Sequence, residues 1–189
     1  MTLQNLILIL LLAAAVFWDL KLRKIPNKIT VPAALLGFLL FLFAEGGKGA
    51  SQSALGFLLG LVIFLILYGF GGMGAGDVKL MAAVGALKGP EFVLRAALAT
   101  ALAGGLMALV VQIWKGRFRQ TMINLLGILL LPLLKGIYRL TAWPKALEAQ
   151  KWFVTKKLEA GNEYLPYAVA IALGTVAVLL GVFSGLFPQ

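Results

Sequence analysis

From Leu3 to Trp18 the chain runs without a charged residue, and long, almost uncharged stretches recur at 29–43, 54–70, 92–114 and 165–186. A core of this size cannot bury that many apolar residues away from water, but a bilayer can. Its hydrocarbon layer is about 30 Å thick and is crossed by roughly 20 apolar residues in a helix. Only helices and closed barrels satisfy their own backbone groups there. Unbroken apolar runs select the helix. The composition agrees, with 61% hydrophobic against 13% charged residues and a mean hydropathy of +0.98. The expectation is all-α: a polytopic membrane helical bundle of about six transmembrane helices, with cytoplasmic amphipathic or re-entrant helices. It forms one integral-membrane domain over 1–189, in which 115–163 is a cytoplasmic or interfacial insertion.

The chain contains no cysteine and no histidine. Disulfides, thiolate nucleophiles, zinc sites of the usual Cys/His type and Ser-His-Asp catalysis are therefore outside its repertoire. No cofactor and no metal are expected. The net charge of +10 reads as topology rather than as a nucleic-acid footprint, because lysine and arginine gather in cytoplasmic loops. No nucleic-acid partner is expected; anionic lipid headgroups of the bilayer are. Lys21, Arg23, Lys24 and Lys28 place the first loop in the cytoplasm and both termini outside. Ala13-Ala14-Ala15 resembles a signal-peptidase site, but no basic residue precedes the apolar run, so the segment reads as a retained span.

The loop expected at Ala44 to Ser53 is external, since Glu45 and Lys48 cancel. The next span ends in Gly71-Gly72-Met73-Gly74-Ala75-Gly76-Asp77-Val78-Lys79-Leu80. The helix after it is short. From Asp77 to Gly89 it covers about 18 Å at 1.5 Å per residue, against a core of about 30 Å. If Lys88 and Glu91 mark the outer surface, Asp77 lies below the cytoplasmic one. From Thr2 to Asp19 the same arithmetic gives about 25 Å, which sinks Asp19 into the same layer. Glycine-rich backbone at that depth needs protein or a wet cavity around it. Further on, Met122 to Tyr138 is apolar enough to span, but spanning would put Arg139, Lys145, Lys151, Lys156 and Lys157 outside. An interfacial or re-entrant helix is expected there, then an amphipathic helix near Trp143 to Leu158.

The seven acids are Asp19, Glu45, Asp77, Glu91, Glu148, Glu159 and Glu163. The glutamates fall in loops or at interfaces, where a solvated charge is the ordinary reading. The two aspartates abut apolar runs, and an intramembrane acid is a functional-site hypothesis by default. The bland alternative is a helix end at the interface with a local ion pair, since a lysine follows each at two residues. Two close carboxylates tend to share a proton. The ionised one can then activate water while the protonated one polarises a carbonyl and assists the leaving amine. Gly74 and Gly76, lacking Cβ atoms, would let an extended peptide approach, although a tightly packed hinge would explain them too. Lys79 would orient the carboxylates or bind substrate; Arg23 suits a membrane-surface anchor. A proton- or cation-binding transporter or assembly subunit would use the same aspartates without hydrolysis.

Gly74-Ala75-Gly76-Asp77 matches the G-x-G-D motif, and Asp19 with the following basic residues and Ile25-Pro26-Asn27 completes a pattern. Together with Leu165-Pro166-Tyr167-Ala168 at the last span, these residues resemble the type IV prepilin peptidase family of intramembrane aspartyl proteases. The resemblance implies that Asp19 and Asp77 are the catalytic pair. It implies a prepilin or pseudopilin substrate with a short basic leader and an apolar helix, cut at the cytoplasmic face. Only Lys21 to Lys28 separates the first two spans, without the cysteine-bearing insert that accompanies N-methylation in larger members. The chain is thus similar to the minimal peptidases of tight-adherence or Flp pilus systems. Presenilin-like proteases share G-x-G-D but carry their first aspartate in a later span.

Overall fold

The computed structural model describes residues 3–69, 73–116 and 166–182. Every element among them is an α-helix: α1 (Leu3–Leu22), α2 (Asn27–Gly69), α3 (Ala75–Lys88), α4 (Pro90–Trp114) and α5 (Tyr167–Leu179). Three of these, α1, α2 and α4, are long and apolar enough to cross a membrane. The interfacial segment expected at Met122 to Tyr138 and the amphipathic helix expected near Trp143 to Leu158 lie outside the described residues, as do Gly71 and Gly72. The chain divides into two compact units, 1–106 with 166–189, and 107–165. Of the second, 107–116 are described, and they are helical through Trp114. The first unit holds α1, α2, α3, α5 and the larger part of α4.

Helix α1 buries Leu8, Leu11, Leu12, Ala15 and Asp19, one stripe at three- and four-residue steps. It stops at Arg23, whose φ of 53° is left-handed, and the N–H of Arg23 donates to the Asp19 carbonyl at 2.8 Å. Pro26 then bars a continuous helix, and α2 begins at Asn27.

At 1.5 Å per residue, α2 would measure about 65 Å if straight, more than two bilayer cores. It breaks at Gly46 (φ 61°, ψ −138°), a conformation open to glycine. The loop expected over Ala44 to Ser53 is thereby corrected to a single non-helical residue between two arms. Both arms return onto α3. Gly37 of the first arm packs on the Ala86 carbonyl, where a Cβ would stand 2.6 Å from the oxygen, and Gly56 of the second faces the backbone of Gly85. Lipid offers no hydrophobic drive to bring helices together, so small residues that allow backbone contact do it.

Helix α3 is the hub. Leu80, Met81, Ala82, Ala83, Val84 and Leu87 are fully buried, and Leu8, Phe64, Val93 and Ile171 from the surrounding helices complete the core. Its C-terminal end is tied to α1 by Lys88, which donates to Asn5 Oδ1 at 2.9 Å and lies 5.2 Å over the Phe92 ring. Large side chains such as Leu10, Phe17, Leu35, Leu58 and Leu106 point outward, as a lipid-facing surface requires.

Candidate active site

Asp19 closes the buried stripe of α1, so the periodicity that packs Leu8, Leu12 and Ala15 also turns its carboxylate inward. It is 4% exposed. The N–H of Ala168, in the first turn of α5, donates to Asp19 Oδ2 at 3.3 Å. That amide belongs to the positive end of a helix, which favours an anion.

Asp77 is 6% exposed and stands three residues after the extended Gly74 that caps α3. Its Oδ2 accepts the N–H of Gly74 at 3.0 Å, and its own N–H returns a bond to the Gly74 carbonyl at 3.1 Å. This is the reach-back half of a capping box, with an acid in the place usually held by glutamate. Its other oxygen, Oδ1, is buried and has no hydrogen-bond partner among the described residues. An unpaired buried oxygen is costly, by about 1–3 kcal/mol, and marks a place prepared for another group.

The two carboxylates lie within electrostatic reach of each other, although 58 positions separate them in sequence. Tyr167, next to the amide that binds Asp19, is within reach of the Asp77 charge as well. Its ring passes Gly104 of α4, where a Cβ would meet Tyr167 Cε1 at 3.9 Å. Two buried acids and a helix N-terminus thus lie within electrostatic reach of one another, with the half-buried Tyr167 beside them. Such a group can hold a water, share a proton and polarise a carbonyl. Among the described residues, no three histidine, cysteine or acidic side chains come together as a metal site would need.

The remaining predicted residues occupy different surroundings. Gly74 is exposed, and a Cβ there would meet Asp77 Oδ2 at 3.4 Å and the Gly76 nitrogen at 3.9 Å, both ordinary contacts. At Gly76 the space is already filled: a Cβ would lie 3.0 Å from Ile25 Cβ and 3.2 Å from its backbone nitrogen. Open space beside Asp77 is therefore on the Gly74 side. Lys79 is exposed and donates to Asn27 Oδ1 at 2.9 Å, tying the Ile25-Pro26-Asn27 turn to α3. Two residues apart on a helix means about 200° of rotation, so Lys79 faces away from Asp77. That signal was available in the spacing. The contacts of Ile25 and Ala168 were not, because each closes only in three dimensions.

Residues 6–109 match the sequence profile of the Type IV leader peptidase family. Among curated relatives, the chain is 35% identical over 124 residues to a Prepilin leader peptidase/N-methyltransferase of Neisseria gonorrhoeae, covering 61% of this chain and 43% of that protein. A protein of the same name in Aeromonas hydrophila is 34% identical over 115 residues, covering 57% and 39%. One in Burkholderia pseudomallei is 34% identical over 107 residues, covering 53% and 34%. The chain thus spans less than half the length of these relatives. No solved structure matches it.

Proposed function

Since the chain belongs to the type IV leader peptidase family, we propose that it is an intramembrane aspartyl endopeptidase that removes the leader of prepilin-like proteins. The observation that carries the proposal is that Asp19 and Asp77, two buried carboxylates on α1 and α3, lie within electrostatic reach of each other. The aspartates would share one proton. Asp19, holding the N–H of Ala168, suits the ionised member that takes a proton from water. Asp77, whose Oδ1 has no donor among the described residues, suits the protonated member that hydrogen-bonds the scissile carbonyl and later protonates the departing amine. Water adds to the carbonyl carbon as Asp19 takes its proton, and the C–N bond breaks as Asp77 gives its proton to the amine. The proton on Asp19 then passes to Asp77, restoring the starting arrangement. No cofactor takes part.

Substrate would enter from the cytoplasmic side past Gly74, with Gly76 and Ile25 as the fixed wall behind Asp77. The proposed six-span arrangement counts the arms of α2 as separate spans and α3 and α5 as short ones, and the basic residues Lys21, Arg23, Lys24 and Lys28 support termini outside and a site facing the cytoplasm. Hydrolysis without methyl transfer is proposed because the turn between α1 and α2 is only four residues, 23–26, and leaves no room for an insert there.

The test is incubation of the purified chain, in lipid vesicles, with a prepilin carrying a basic leader, followed by mass and sequence of the product. A single cut before the apolar helix, with an unmethylated new N-terminus, is expected. Uncut substrate, or a cut that survives Asp77→Ala, would contradict the mechanism; proton- or cation-dependent transport by the same protein would replace it.

A further inference from the structure

The face of α3 that carries Lys79 is not part of the aspartate layer. Lys79, Ala82 and Ala86 share it, at the spacing of one helix face, and they form the floor of a groove of about 680 Å³. The two arms of α2 form the walls, with Leu35, Phe38 and Leu58 among the apolar side chains. From Asn27 to Phe38 the groove runs roughly 16 Å, at 1.5 Å per residue. Except at one end, its lining is almost wholly apolar, and Leu35 and Leu58 lie exposed along its edges.

That end is polar in a specific way. Asn27, Thr30 and Lys79 meet there. The Lys79 ammonium has the Asn27 oxygen at 2.9 Å, and no carboxylate pairs with it among the described residues. Giving its oxygen to Lys79 leaves the Asn27 amide NH2 as a donor. Thr30 is 2% exposed, and its Oγ1 has no partner among the described residues. Asn27 also begins α2, so the positive end of that helix lies at the same place. Donors and positive charge are collected at the mouth of a three-turn apolar slot, with the Asn27 oxygen as the one acceptor that meets Lys79 among the described residues.

We propose that this is a binding site for one anionic phospholipid, with its phosphate held by Lys79, Asn27 and Thr30 and an acyl chain lying in the groove. Charge complementarity selects the head, and the open apolar walls select the tail. An apolar peptide helix fits less well, because the slot opens on the side of α3 opposite Asp77 and ends in a cation. The site has a consequence for the aspartates. Asn27 ends the turn whose Ile25 packs on Gly76, so an occupied head site braces the wall behind Asp77.

The test is native mass spectrometry of the full chain, stripped of lipid in detergent and then offered phosphatidylglycerol or phosphatidylcholine. One phosphatidylglycerol per chain should be retained about tenfold more tightly than phosphatidylcholine, the value of one charge-assisted hydrogen bond. Lys79→Gln and the near-isosteric Thr30→Val should each reduce that preference, and Ala54→Phe, which fills the groove, should weaken retention of both lipids. Equal retention by the unaltered chain, or an undiminished preference in both head-site variants, would overturn the proposal. So would displacement of the lipid by inorganic phosphate alone, or by an apolar helical peptide, which would make the groove a peptide site. Cleavage is not read, so the outcome is independent of whether the chain is a peptidase.

Discussion

The two ends of α3 use glycine for opposite purposes. At the C-terminal end, Gly85 and Gly56 remove side chains so that two helix backbones touch. At the N-terminal end, Gly74 leaves open space beside a buried carboxylate that is half-satisfied among the described residues, while Gly76 admits the Ile25 turn. One end is spent on holding the bundle together in lipid, where close contact is the main cohesive device. The other holds a buried acid that costs the bundle stability and that the proposed hydrolysis would use. A residue type that looks uniform along the sequence thus divides by what it faces.

Substitutions along this one helix separate the two roles. The largest effect is expected at the acids. Asp77→Asn and Asp19→Asn should each lower cleavage by more than about a thousandfold while leaving thermal unfolding in detergent nearly unchanged, because catalytic groups that act as a unit fail together. Next is Gly85→Ala. The added Cβ would meet the Gly56 carbonyl, backbone that cannot rotate away, and a loss of about 1–3 kcal/mol should appear as a lower unfolding temperature. Gly76→Ala should act mainly on rate. Its Cβ presses on Ile25 and shifts the wall behind Asp77 by tenths of an ångström, which is expected to cost about tenfold in cleavage rate. Smallest is Gly74→Ala, whose Cβ makes an ordinary contact with Asp77 Oδ2; a change of about threefold or less should be measured. An activity loss at Gly74 exceeding that at Gly76 would reverse the assignment of the open and closed sides.

Much of this layout is written in local pattern. The shortness of α3 follows from the distance between Asp77 and the Lys88-Gly89-Pro90-Glu91 stop, and the helix runs from Ala75 to Lys88. The inward direction of Asp19 follows from its step behind Leu8, Leu12 and Ala15. Arg23 in a left-handed turn is less legible, since nothing in the residue type demands it. The bend of α2 was visible as a polar, glycine-bearing stretch, but helix propensity there carries through to a single break, and Gly46 rather than a ten-residue loop makes the turn. What sequence could not show are contacts made across the bundle. Ile25 against Gly76 and the Ala168 amide on Asp19 join residues 51 and 149 positions apart. Neither element carries a mark of its partner.

The central claim is that Asp19 and Asp77 form one catalytic unit, and a double-mutant cycle on leader cleavage addresses it directly. Rates would be measured for the unaltered chain, Asp19→Asn, Asp77→Asn and the double variant on one prepilin substrate in vesicles. The prediction is that the double variant is no slower than the worse single one, since removing either carboxylate already dismantles the pair. Losses that multiply, or one aspartate whose replacement leaves cleavage intact, would contradict it.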